Sequence, residues 1–103
     1  MISSFGDKLT EALYHGTANK DLRIPPEINR RALRKLDMIN AAHDVLDLRS
    51  PPGNRLETLH GDLAGMSSIR VNDQWRIFFR WQDGNAYEVR LADYHEEGQG
   101  EEP

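Results

Sequence analysis

From Ser67 to His95 the chain reads SSIRVNDQWRIFFRWQDGNAYEVRLADYH, and its apolar residues recur at every second position. Trp75, Ile77, Phe79 and Trp81 alternate with Arg76, Phe78 and Arg80, and Tyr87, Val89 and Leu91 alternate with Glu88 and Arg90. A period of two sends successive side chains to opposite faces of a strand, so a three-strand antiparallel meander of half-buried strands is predicted. Register then sets the loops, because a slip of one residue moves every apolar side chain to the wrong face. At Asp83-Gly84-Asn85 a two-residue turn fails that test. A three-residue loop pairs Trp81 with Tyr87, Phe79 with Val89 and Ile77 with Leu91, and it offers a Gly or Asn able to take positive φ.

At Asn72-Asp73-Gln74 the same test pairs Val71 with Trp75 and Ile69 with Ile77, which sets Arg70 opposite Arg76. Like charges across a ladder repel. With Arg80 and Arg90 on the same surface, and only Arg80 beside an evident acidic neighbour in Glu88, the pattern suggests an anion-binding face. The plainer reading is the solvated face of a sheet, where arginines are ordinary.

At 103 residues the chain fits one domain with a single modest core. It has no cysteine, which excludes disulfides, thiolate nucleophiles and zinc-thiolate sites. MISSFGDKLT carries no basic region followed by an apolar run, and no window holds the roughly 20 apolar residues of a membrane helix, so a cytoplasmic protein without membrane contact is expected. The net charge of -4 is concentrated in the last eight residues, EEGQGEEP, with four glutamates. Residues 96–103 read as an acidic, disordered tail, and residues 1–95 as the folded domain. That body is left with 13 acidic residues against 13 basic, so any attraction to RNA has to come from local patches.

Ahead of the meander the pattern is helical. Met1 to Phe5 is a short strand candidate, and Asp7 caps a predicted helix through about Tyr14 that Gly16 ends. From Pro26 the segment EINRRALRKLDMINAAHDVLDL places Ile28, Ala32, Leu36, Ile39 and Ala42 near helical spacing, with Arg30, Arg31, Arg34 and Lys35 on the other side, a charged face ordinarily just solvated. RSPPGNR, residues 49 to 55, is a loop because Pro51, Pro52 and Gly53 break both periods. The expected fold is α+β, a short N-terminal strand and two helices packed on one face of an antiparallel sheet ending in the meander, with the arginine face open.

Four strings in order, ISSF at the start, RLETLHGDLAG from Arg55, SIRVNDQWRIFF from Ser68 and DGNAYEVRLADYH from Asp83, resemble the HigB toxins, the plasmid maintenance killer proteins of the RelE/ParE superfamily. The resemblance covers residues 1 to 95. It implies a RelE/ParE-like fold and the toxin of a type II toxin-antitoxin pair, an endoribonuclease that cuts mRNA in the ribosomal A site. Its implied partners are the ribosome with its mRNA and a helix-turn-helix HigA-like antitoxin, through which alone it meets operator DNA. No metal or cofactor is implied.

Metal-free RNA cleavage needs a base for the ribose 2'-hydroxyl, an acid for the departing 5'-oxygen and positive charge at the phosphate oxygens. The family pattern puts this work on the terminal Asp-Tyr-His, here Asp93, Tyr94 and His95. His95 suits acid-base work near neutral pH, Asp93 can orient it or act as base, Tyr94 can stack on a base or donate a hydrogen bond, and Arg76 is the best phosphate clamp. Family members typically carry a histidine where Glu57 stands and a lysine where His60 stands, both contributing to catalysis. Glu57 remains a possible base and His60 a proton donor or phosphate contact, but an ionised glutamate repels phosphate, so weaker cleavage or an altered pH dependence is expected. Two alternatives follow from the same residues: a ParE-like gyrase-binding toxin, which needs no terminal histidine, and a degenerate toxin acting as an antitoxin-bound corepressor. Taken singly, the residues have structural readings too: His15 and His43 as surface histidines, Trp75 and Trp81 as core, Gly61 and Gly65 as turn residues.

Overall fold

In the computed structural model, which describes residues 1–16 and 25–93, local signals start each helix. The Asp7 carboxylate accepts the Thr10 N–H at 2.8 Å and opens α1 (Lys8–His15), which Gly16 closes at φ 79°; a left-handed C-cap of this kind favours glycine. Thr10 is fully buried, and its Oγ1 accepts the Leu91 N–H at 2.8 Å, fixing the helix to the sheet. Helix α2 (Pro26–Ala41) buries Ile28, Ala32, Leu36 and Ile39. Its periodicity runs on in sequence, but the helix stops at Ala41. Asp44 and Asp47 then form a reciprocal capping box that starts a separate 3-10 turn, Val45–Arg49. None of the described helices is long and apolar enough to cross a membrane.

The sheet has the order β1 (Glu57–Thr58), β2 (Met66–Arg70), β3 (Trp75–Gln82) and β4 (Asn85–Asp93), all antiparallel. Residues 1–5 run beside β4 through two parallel bridges, Ile2 with Ala86 and Phe5 with Val89. Both helices pack on one face, where Leu36, Ile39, Ile69, Ile77, Phe79 and Val89 form the centre of the main core and Trp75 and Trp81 pack against it. The predicted pairs Ile69–Ile77 and Arg70–Arg76 are present, and the Val71 N–H donates to the Trp75 carbonyl at 2.8 Å. Gly61 and Gly65 take positive φ, as turn residues.

Two further expectations are corrected. The β3–β4 turn has two residues, Asp83 and Gly84, both at positive φ (53° and 80°). Gln82 therefore pairs with Asn85, Trp81 with Ala86 instead of Tyr87, and Arg80 with Tyr87. Ile77 still pairs with Leu91, because the odd residue is absorbed in a bulge on β4 that sets Glu88 and Val89 opposite Phe79. The Glu88 backbone is left-handed there, at φ 56°, a conformation found at bulges. The second correction concerns the arginine face, which is not open. Residues 55–66, including the unanticipated β1, lie over part of it, and Leu59, Met66 and Phe78 make a second small core there with Leu63 and Ala92.

Candidate functional site

Arg76 lies in that covered face and is only 5% exposed. A guanidinium taken out of water needs partners for its N–H groups, and the neighbouring backbone supplies them. Its Nε donates to Ser68 Oγ at 2.8 Å, and Nη2 donates to the Arg55 carbonyl at 2.6 Å and the Ser68 carbonyl at 3.2 Å. The Glu57 carboxylate is 3.9 Å from Nη2. Arg55 presents its carbonyl from a left-handed conformation (φ 44°, ψ 59°) at the end of the 3-10 turn Pro52–Asn54. Asn54, fully buried, anchors that turn: its amide donates to the carbonyls of Leu48 at 3.1 Å and Ser50 at 3.4 Å, and its Oδ1 accepts from Lys35. Arg76 is thus held in the sheet by its neighbours and does not extend freely into solvent from its strand position.

The other arginines of this face each have a close partner. Arg70 pairs with Asp73, Arg80 Nε lies 3.4 Å from Glu88 Oε2, and the Arg90 guanidinium sits 5.1 Å from the centroid of the Phe78 ring. The facing pair Arg70 and Arg76 is therefore stable without an anion between them. Lys35, bonded to Asn54, feels the neighbouring positive charges: burial first, then Arg31, Arg34 and Arg70, lower its pKa from the ordinary lysine value. The basic side of α2 and the end of β2 consequently form one positive surface. Among the described residues, no carboxylate forms an ion pair with Arg31 or Arg34.

Glu57 has a side chain 45% exposed, and His60, also exposed, precedes the 3-10 turn Gly61–Leu63. Asp93 accepts from Gln74 Nε2 at 2.7 Å and pairs with Trp75. Alternation gives it the helix-bearing side of the sheet, whereas Glu57, Ser68, Phe78 and Arg90 line up across the other face. Tyr94 and His95 lie outside the described residues. The fold thus joins Arg76 with Glu57, and Arg70 with the α2 arginines, but it separates Asp93 from Arg76 by the thickness of the sheet. Sequence reasoning missed Ser68, Asn54, the Arg55 carbonyl and Gln74. Only Ser68 left a signal, as a polar residue inside a strand two positions from Arg70.

The sequence profile of the HigB-like toxins, described as the RelE-like toxin of the type II toxin-antitoxin system HigB, matches residues 3–95. Toxin HigB-1 of Vibrio cholerae is 45% identical over 91 residues, spanning 88% of this chain and 95% of that protein. Endoribonuclease HigB of Proteus vulgaris is 32% identical over 95 residues, spanning 92% and 100%. Among solved structures, the YoeB-YefM complex of Staphylococcus aureus matches with a TM-score of 0.59 at 15% identity, over 92% of this chain and 98% of that one. YafQ of Escherichia coli matches with 0.57 at 11%, over 93% and 97%. At these identities the structures speak for the fold alone.

Proposed function

Since this chain belongs to the HigB-like family, the RelE-like toxins of type II toxin-antitoxin systems, we propose that it is an endoribonuclease that cuts ribosome-bound mRNA and is silenced by a helix-turn-helix antitoxin. One observation carries the chemical part: a desolvated guanidinium and an exposed carboxylate stand 3.9 Å apart on one sheet face. A phosphate seated over that pair meets a fixed positive charge in a setting of reduced dielectric, where such a charge acts more strongly than in water. Glu57 takes the 2'-hydroxyl proton as the 2'-oxygen attacks phosphorus, and Arg76 stabilises the charge gathering on the phosphate oxygens. His95 protonates the departing 5'-oxygen. Asp93, bonded to Gln74 on the opposite side of the sheet, anchors the end of β4 ahead of His95, Tyr94 stacks on a neighbouring base, and His60 contacts the phosphate. Arg70 and Arg80 exchange their carboxylate partners for RNA phosphates, with Arg90 beside them, and the Arg31-Arg34-Lys35 surface continues the backbone path.

The naming of the Proteus vulgaris relative as an endoribonuclease supports the reaction class. The test is expression without antitoxin, followed by mapping of mRNA ends on isolated ribosomes. Cuts within reading frames that vanish in Glu57→Gln and His95→Ala are expected. Growth arrest with intact mRNA and induced DNA damage would instead select gyrase binding. A harmless wild type whose operon repression survives both substitutions would select the corepressor reading.

A further inference from the structure

We propose that Ser68 is the positioning residue of this site, setting the plane of the Arg76 guanidinium and its spacing from Glu57. The proposal rests on the reading of Arg76 as the charge beneath the reacting phosphate. A guanidinium is a rigid planar fork with five N–H groups, so its orientation is fixed once two of its nitrogens are held from different directions. Ser68 Oγ holds Nε at 2.8 Å and the Arg55 carbonyl holds Nη2 at 2.6 Å. These acceptors belong to β2 and to a loop, so turning the fork breaks one bond or the other.

Ser68 also stands between the two reacting groups in the sheet. It pairs with Glu57 on one side and with Phe78 on the other, so the strand carrying the base and the strand carrying the arginine are both registered on it. The residue is fully buried, and that pocket calls for a small side chain with an oxygen. Alanine there leaves Nε without its side-chain acceptor in a largely desolvated setting. Cysteine fills nearly the same volume with a poor acceptor, and threonine keeps the hydroxyl. Arg76 would then keep its charge and lose its aim.

The experiment uses the full chain. Hydrogen exchange at the Arg76 Nε–H is followed by NMR in the free protein, the signal being assigned with Arg76→Lys, and cleavage of ribosome-bound mRNA is followed in parallel. In Ser68→Ala and Ser68→Cys the Nε–H should exchange about tenfold faster or more, as expected for a lost hydrogen bond to a charged group. Their kcat should fall by about tenfold with KM changed much less, because the loss bears on the transition state, and Ser68→Thr should recover both readouts. Thermal unfolding identifies any variant that fails to fold, and the cysteine variant stands in for alanine in that event. Unchanged exchange, or full kcat alongside faster exchange and an inactive Arg76→Lys, would overturn the proposal. Faster exchange with normal cleavage in both the Ser68 variants and Arg76→Lys would leave Ser68 as the holder of Arg76 and instead refute Arg76 as the phosphate contact.

Discussion

Arg76 and Arg70 face each other across one ladder, yet they live in different media, and their substitutions should differ accordingly. Arg76→Ala leaves the buried Ser68 hydroxyl and the part-buried Arg55 carbonyl without their donor. It should lower unfolding free energy by about 2–4 kcal/mol in urea titration as well as abolish cleavage. Arg70→Ala loses a surface ion pair whose Asp73 partner is 97% exposed; its stability should stay within about 0.5 kcal/mol while RNA binding weakens. Register alone placed both arginines, but their burial could not be read, since the covering residues 55–66 carry no periodicity that announces a layer. Lys35 gives a pH prediction. Its pKa is lowered in the folded chain, by burial and then by Arg31, Arg34 and Arg70, so below the ordinary lysine range the unfolded chain holds this proton more often than the folded one. Stability therefore rises with pH through that alkaline window, and wild type should gain on Lys35→Met in denaturant titrations run at increasing pH.

Elements whose signals are local were legible. Asp7, Gly16 and Pro26 act within a few residues of where they stand, and both helices begin where those residues indicate. The hairpin departs from its sequence pattern because its irregularity answers to a distant segment. At the bulge the Glu88 N–H turns to Ser4 Oγ at 2.9 Å, and the Gly6 N–H donates to the Val89 carbonyl at 2.8 Å. Nothing within Trp75 to Asp93 reveals a partner some 80 residues away. The same packing makes Gly6 demanding: a Cβ there would stand 2.8 Å from the Glu88 carbonyl oxygen, a backbone atom with little freedom to yield. Gly6→Ala should cost about 1–3 kcal/mol in thermal or chemical unfolding, with the loss appearing as a melted N-terminal segment in amide exchange. For the candidate site, strand alternation identified the face of Arg70, Arg76, Arg80 and Arg90, whereas the meeting of Glu57 with Arg76 depended on a two-residue strand too short for any pattern.

Across the whole molecule, a near-neutral body has to attract a polyanion through the surface where Arg31, Arg34, Lys35 and Arg70 gather. Arg31→Glu with Arg34→Glu should weaken ribosome binding and flatten its salt dependence, leaving the fold intact by circular dichroism. Deleting residues 96–103 removes four negative charges and should strengthen binding at low salt, with the difference fading as ionic strength rises. The pairing of residues 1–5 with β4 bears on a separate matter, self-association. A bare strand edge is a template on which further copies can polymerise. Here one side of the sheet ends in a strand of two residues and the other is closed by the bridges of Ile2 and Phe5. Shaving those few residues from the front would uncover β4, and the protein should then form fibres or precipitate more readily on storage, a cost in colloidal behaviour set by the segment that closes this edge.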